Sequence, residues 1–283
     1  MVFQTKAHSK RFPEFDDFMK FHFSPAPLFV LQVASVCLTS VGFGMSTPWG
    51  EKVDASDVLT EHPQPHLKRA AWLNLNGTWN QCVFPQAGEG LVGQSGFKGA
   101  TGKAEFTWAP ILVPFCPESS LSGVGRQVEP DQALWYQRKL EVKPGAGERT
   151  LLHFGAVDHE ATVWVNGKEL GKHIGGNTPF SFDITSALAS DGNNTLTVRV
   201  HDATEGWQLR GKQALKPKGI TYTRVSGIWQ TVWMEQVPER HVENLDFETV
   251  VGKEDAGSTP SLLVKAKLAG PALAGEILRV AVS

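Results

Sequence analysis

An all-β, antiparallel sandwich is the fold this sequence predicts, and three observations predict it. Short runs alternate apolar with polar residues, which is the period of a strand with one buried face. Turn signals interrupt those runs about every 8–12 residues, as in sandwiches. No stretch with helical periodicity is long enough to make helices dominant, and no internal repeat is visible.

Each element can be justified in order. Residues 45–70 form an extended lead-in, because Pro48, Pro63 and Pro65 prevent a long helix. Trp72 to Phe84 reads as a turn at Asn76-Gly77 followed by a strand. Residues 86–103 are glycine-rich and polar, a surface loop. Ile111 to Val113 is a short strand ending at Pro114. The irregular stretch from Pro114 to Pro130 is either a functional loop or a plain excursion. Leu134 to Val142 and Thr150 to Phe154 are strands about a turn at Pro144–Gly147. In the next strand Ala161, Val163 and Val165 alternate with Thr162, Trp164 and Asn166. Trp164 thus faces away from the core residues and is expected to pack under a loop. Asn166-Gly167 calls for a hairpin, since both turn positions need positive φ. Lys168 to His173 returns antiparallel, and Asp183 caps a single helical turn, Ile184 to Leu188. Thr195 to Val200 alternates again. Ile228 to Met234 reads as one closing strand, with Trp229 and Trp233 on a shared core face. After Pro238, Val242 to Val251, Ser261 to Leu268 and Ile277 to Val282 read as three more strands, with a polar connection at Lys253 to Thr259. So short a segment cannot close a sandwich by itself, which leaves apolar strand faces without partners.

The totals narrow the function. The chain has 283 residues, 41% hydrophobic and 20% charged, with a net charge of −2. That balance offers no electrostatic footprint for nucleic acid or an anionic membrane. Nine tryptophans stand against two tyrosines, and core placement is the reading for most of the indoles. Cys37, Cys82 and Cys116 have irregular spacing, so neither a zinc site nor a disulfide framework is expected. Cys82 and Cys116 sit in apolar stretches and read as inert thiols, with one disulfide between them left open.

Residues 1–44 carry two readings. Starting from Met19, Lys20 supplies a basic start and Leu28 to Leu38 an apolar core, with small residues near Ser40, Gly42 and Gly44, which is signal-peptide grammar and predicts secretion. Alternatively translation begins at Met45 and the protein is cytoplasmic. The apolar run, interrupted by Gln32, is too short to span a bilayer, so no stable membrane insertion is expected. The sequons at Asn76 and Asn193 are compatible with secretion.

The run Phe154 to Thr185, FGAVDHEATVWVNGKELGKHIGGNTPFSFDIT, resembles the N-terminal sugar-binding domain of glycoside hydrolase family 2. Trp72 to Asn80 resembles the entry strand of that family. Trp135, Tyr136 and Arg138 match its W-Y-x-R strand, and Ser226 to Gln230 match the S-G-I-W-Q core of its closing strand. Trp49 to Val53 resembles the lead-in of β-galactosidase-like members. Asn177 and Thr221 depart from the pattern, in loops, where many relatives carry tyrosine and tryptophan. The resemblance implies a galactose-binding-like jelly roll over residues 45–237, followed at 238–283 by the incomplete start of an immunoglobulin-like β-sandwich.

The resemblance also implies chemistry. Retaining glycosidases use two carboxylates about 5–5.5 Å apart. In this family both lie on a (β/α)₈ barrel downstream of the two β-domains, so no catalytic residue is expected in this chain. Asp158 and Glu160 share a strand face but read as a solvated edge rather than a catalytic pair. Loops of the sugar-binding domain reach the substrate pocket in family members. The matching positions in this sequence are the Glu118 loop and the segment from Arg210 to Tyr222. Glu118 is placed to accept from sugar hydroxyls, and Trp207 and Tyr222 to stack on a ring. Arg210 and Lys212 are either substrate contacts or ordinary surface charges. No metal and no other cofactor is expected.

The function expected is that of the N-terminal portion of a glycosidase acting on terminal β-linked sugars, β-galactosides first. The fragment supplies the noncatalytic domain, with carbohydrate and the catalytic barrel as partners. Whether it forms a homo-oligomer stays open. The alternative is a stand-alone carbohydrate-binding or structural interaction module without hydrolase activity.

Overall fold

The protein's architecture comes from a computed structural model that describes residues 47–85, 108–251, 261–277 and 279. The expected leader at 1–44, with Cys37, therefore lies outside the described residues. So do the loop at 86–103, the connection at 253–259 and most of the strand expected at 277–282. Among the described residues no helix is long and apolar enough to cross a membrane.

The strands are β1 (Trp72–Asn74), β2 (Gly77–Pro85), β3 (Ala109–Val113), β4 (Gln132–Glu141), β5 (Glu148–Phe154), β6 (Val157–Asp158), β7 (Glu160–Val165) and β8 (Lys168–Ile174). They continue with β9 (Phe180–Asp183), β10 (Asn193–His201), β11 (Gln213–Ala214), β12 (Tyr222–Thr223), β13 (Gly227–Ile228) and β14 (Val232–Pro238). The last pair is β15 (His241–Val250) and β16 (Ser261–Ala269). A four-stranded sheet, β1-β14-β5-β9, faces a six-stranded sheet, β3-β2-β4-β10-β7-β8.

The alternation read from the sequence sets the core between them. Ala161, Val163 and Val165 of β7 pack with Leu196, Val198 and Val200 of β10 and with Leu152, Phe154, Val232 and Met234 of the opposite sheet. Burying a Val, Leu, Phe or Met side chain contributes about 1.5–3 kcal/mol. Trp164 lies on the outer face of its sheet and is buried there, stacked on Trp135 at 5.7 Å beside Cys82 and Phe84. Cys82 and Cys116 are free thiols, and burial pushes the Cys82 pKa to about 12.

Local chemistry fixes the turns. Asn166 and Gly167 have φ of 52° and 78°, the left-handed pair that a two-residue hairpin needs. The Asn166 side chain then holds its neighbours, donating to the Ala187 carbonyl at 2.8 Å and accepting from the Thr195 amide at 2.9 Å. Asp183 accepts from the Thr185 amide at 3.0 Å and so starts the 3-10 turn Thr185–Ala187. Asn76, one of the two sequon asparagines, is buried. Its side chain donates to Val58 and Thr231 and accepts from the Val232 amide.

The closing run departs from expectation. Ile228 to Met234 is not one strand: β13 pairs with β6, and β14 joins the four-stranded sheet. Between them the Trp229 amide bonds to the Ala156 carbonyl and the Gly155 amide to the Thr231 carbonyl, which turns the chain from one pairing to the next. Trp229 and Trp233 therefore do not share a core face. Trp229 is half-buried and donates its indole N–H to the Gly176 carbonyl at 2.7 Å. Trp233 is buried on the outer face of the four-stranded sheet, stacked on His153 at 4.9 Å. On that face Glu235 accepts from Arg69 at 2.6 Å and lies 3.0 Å from His153. Burial alone would raise the Glu235 pKa, but the bonds from His153 and Arg69 outweigh it and hold the carboxyl below its usual value. Arg69 also donates to the Val242 carbonyl, tying the lead-in to β15.

Among the described residues, β15 and β16 pair only with each other, and Phe247, Leu262 and Leu263 on them are exposed.

Candidate functional site

Three carboxylates meet at one end of the sandwich, where β6, β10 and β13 deliver their chains to the loops. Asp158 ends β6, Asp202 follows β10, and Glu118 comes from the irregular loop after β3. Asp202 is buried and fully used. It accepts from the Thr204 amide at 2.8 Å, the Thr204 hydroxyl at 3.0 Å and the Ser226 hydroxyl at 2.9 Å. Glu118 accepts from the Ser226 amide at 3.1 Å, while its other oxygen is buried without a hydrogen-bond partner among the described residues.

Asp158 overturns the expectation of a solvated strand edge. It is 6% exposed, because Gly176 and Gln213 close over it. A Cβ on Gly176 would collide with the Asp158 carboxylate, so only glycine allows this approach. Gln213 donates to Asp158 at 3.2 Å and accepts from the Val225 amide at 2.6 Å, stitching the long loop onto the strand. Burial, then the nearby charges of Asp202 and Glu118, push the Asp158 pKa up to about 6, with the Gln213 bond opposing. Glu160, its expected companion on the same face, is only half-buried.

One cation answers this charge. Arg224 is 0% exposed, donates to the Thr204 hydroxyl at 3.3 Å, and lowers the pKa of Glu118 against the upward push of burial. Its Nε and one terminal nitrogen are buried without a hydrogen-bond partner among the described residues. His159 is buried beside the cluster, and burial lowers its pKa.

The motif residues support this end. Tyr136 of the W-Y-x-R strand is buried in the core and accepts from the Ile228 amide at 3.1 Å. Gly227 has φ of +83°, and a Cβ there would collide with the Tyr136 hydroxyl. Arg138 donates to the Leu75 carbonyl at 2.8 Å, fixing the entry turn. The S-G-I-W-Q block thus delivers Ser226 to Asp202 and Glu118 through close backbone approach.

Of the residues singled out from the sequence, Glu118 belongs to the buried cluster, whereas Trp207, Lys212 and Tyr222 lie on the loop outside it. Trp207 is 68% exposed and stands edge-on to His159 at 5.5 Å. Tyr222 is 53% exposed. Arg210 is half-buried and donates to the Gln213 carbonyl at 2.6 Å, and Lys212 is exposed. Sequence reasoning missed Asp202, Arg224 and Ser226. The available signal was Asp202-Ala203-Thr204, an Asp-x-Thr step closing an alternating strand. Among the described residues no group of three or more His, Cys, Asp or Glu side chains is arranged to hold a metal ion. A depression of about 260 Å³ by the lead-in, walled by Trp49, Val58 and Phe115, shares no lining residue with the cluster.

Chemically the cluster holds loops in place and presents acceptors near an exposed aromatic rim.

Comparison with known proteins gives the same region a context. Residues 124–238 match the model of the family described as glycosyl hydrolases family 2, sugar binding domain. A β-galactosidase from Thermoanaerobacter pseudethanolicus is 31% identical over 117 residues, covering 40% of this chain and 15% of the relative. A putative β-glucuronidase from Formosa agariphila is 28% identical over 116 residues, covering 41% and 13%. A β-glucuronidase from Felis catus is 27% identical over 143 residues, covering 43% and 22%. The chain therefore spans under a quarter of the length of these curated relatives. Among solved structures, a β-glucuronidase from an uncultured Clostridium sp. superposes with a TM-score of 0.50 at 24% identity, over 71% of this chain and 35% of that one. One from Ruminococcus gnavus gives 0.50 at 18% identity, over 72% and 35%. These two share the β-sandwich fold.

Proposed function

We infer that this chain, whose residues 124–238 form a sugar-binding domain of glycoside hydrolase family 2, is the N-terminal portion of a glycosidase acting on terminal β-linked sugars. The observation that carries the reading is the family match across β4 to β14, in relatives named β-galactosidase and β-glucuronidase of which it is a small part. β-Galactosides are the first substrates to try, because two relatives that are 31% identical, over 117 and 122 residues, are β-galactosidases. In this reading the hydrolysis is a double displacement on a downstream barrel. The sugar-binding domain shapes the pocket wall with its loop end and braces the barrel. The carboxylates Glu118, Asp158 and Asp202 hold that loop end rigid, and Trp207 and Tyr222 offer ring faces to a sugar.

The experiment that tests it is to read the gene beyond the codon for Ser283. The expected result is an open frame encoding a barrel with two carboxylates at glycosidase spacing. A stop codon directly after Ser283 contradicts the reading and leaves a binding module.

A further inference from the structure

A second group of reactive side chains lies on the outer face of the four-stranded sheet and shares no residue with the acidic cluster. Alternation along β5 sends Leu152 and Phe154 into the core and leaves His153 on the outer face. Beside it stand Ser181, exposed on the edge strand β9, and Glu235, buried on β14. The Ser181 hydroxyl lies 2.6 Å from His153 Nδ1, and His153 Nε2 lies 3.0 Å from Glu235 Oε1. A hydroxyl, an imidazole and a carboxylate thus stand in one line of contact, with only the hydroxyl end open to solvent.

Strand register makes the contact. Ser181 is the direct cross-strand partner of His153. The Ile184 amide bonds to the Thr150 carbonyl. By alternation Ser181 and His153 then form a non-hydrogen-bonded pair, where facing side chains come closest. The same alternation turns the Ser181 amide off the edge of β9, which pairs only with β5 among the described residues. On the other side Trp233 stacks on the imidazole at 4.9 Å and 13° and fixes its plane. Against the upward push of burial, the bonds from His153 and Arg69 hold the Glu235 carboxyl below its usual pKa. A carboxylate at Nε2 favours the tautomer with its proton there, which leaves Nδ1 to accept from the Ser181 hydroxyl. The Nε2 approach is off the ideal hydrogen-bond line, as catalytic contacts often are before a substrate tightens them. Further ionisable groups near the imidazole are Arg69 and, across the indole, His62.

We propose that Ser181, His153 and Glu235 form a serine-nucleophile site for carboxylic esters with short acyl groups such as acetyl. Its roles, not its sequence spacing, define it. The Ser181 oxygen attacks the ester carbonyl carbon while His153 Nδ1 takes the hydroxyl proton. The bond from carbonyl carbon to the alcohol oxygen breaks, and the alcohol leaves with that proton, so the acyl group stays on Ser181. Water, giving a proton to the same nitrogen, then attacks the acyl-serine, and a carboxylic acid departs as the serine hydroxyl is restored. The Ser181 amide donates to the carbonyl oxygen as it gains charge. Glu235, Arg69 and Trp233 are positioning residues. Exposure of Ser181 on an edge strand suits esters carried on the surface of a larger molecule. The inference does not rest on the family reading.

The test is reaction of the 283-residue chain with a fluorophosphonate and with p-nitrophenyl acetate. The expected results are a phosphonyl adduct on Ser181, located by peptide mass spectrometry, and release of p-nitrophenol with a burst of about one equivalent per chain. Ser181→Ala changes an exposed side chain and should abolish adduct and burst with an unchanged melting temperature. His153→Gln should slow release by about a hundredfold or more. Glu235→Gln should slow release and move the rise of rate with pH to lower pH, because the anion that favours the imidazolium is gone. A carboxylate that only supports the fold would lower the melting temperature and leave that profile in place, which counts against its positioning role. A folded chain that takes no adduct overturns the proposal, as does an adduct on another residue or release undiminished by Ser181→Ala. Release that needs His153 but survives Ser181→Ala is plain imidazole hydrolysis and also overturns it.

Discussion

A carboxyl group enclosed beside two others is held there most easily with its proton on. Asp158 meets that condition through burial first, then Asp202 and Glu118, and its pKa rises to about 6. The folded state thus binds the proton more tightly than the unfolded chain. The sign follows: stability contributed by protonated Asp158 is present at low pH and is lost as pH rises from about 4 to about 6. Asp158→Asn removes that loss. It should raise stability at pH 7.5 by up to about 3 kcal/mol and change little at pH 4, read from urea unfolding at both. Destabilisation at pH 7.5 and none at pH 4 would show instead that the charge on Asp158 is needed by the fold. None of this was legible from the sequence. Asp158 and Glu160 sit two apart, which fixes only their strand face. What buries Asp158 is Gly176 and Gln213, brought in from later turns and loops.

Elements were legible where their cause is local. Asn166-Gly167 specifies its hairpin because the two residues tolerate the backbone the turn needs, and the alternation in β7 and β10 names their core faces. The closing run failed for the opposite reason. Ile228 to Met234 has the composition of one strand, but its break is imposed from outside by Ala156, by Gly155 pairing with Thr231, and by the Tyr136 hydroxyl. Tyr136 is the sharper test of that break. Tyr136→Phe leaves the buried Ile228 amide without its acceptor while keeping ring volume. The expected cost is about 1–3 kcal/mol in unfolding free energy, with faster hydrogen exchange at Ile228. A variant as stable as the parent, with Ile228 still protected, would mean that another acceptor replaces the hydroxyl. The candidate site shows the same division. Trp207 and Tyr222 stand out in sequence as aromatics in a loop. Arg224 does not, because its partner Thr204 comes from a separate element, and the local Asp202-Ala203-Thr204 step does not reveal that Ser226 joins it.

At the scale of the whole molecule, the sandwich is stabilised by a continuous core between its two sheets, with a polar face fastening the lead-in through Arg69, Glu235 and His153. The hairpin of β15 and β16 joins neither sheet among the described residues; Arg69 and an edge-on contact of His66 with Phe247 tie it to the lead-in, and Phe247, Leu262 and Leu263 stand exposed. The proposed function divides binding and cleavage in the same way, between this sandwich and a downstream barrel. In that proposal the sandwich end, with its acidic cluster and the two open rings Trp207 and Tyr222, holds the sugar chain. Cleaving one needs a pair of carboxylates free to exchange protons and attack, and the proposed reading places that pair on the downstream barrel. The most direct measurement is turnover of chromogenic β-galactoside, β-glucuronide and β-mannoside by the 283-residue chain beside the longer product that the proposed function predicts. Turnover by the longer product and none by the chain alone is the expected result. Turnover by the chain alone, surviving repurification at constant specific activity, would contradict the division of binding from catalysis.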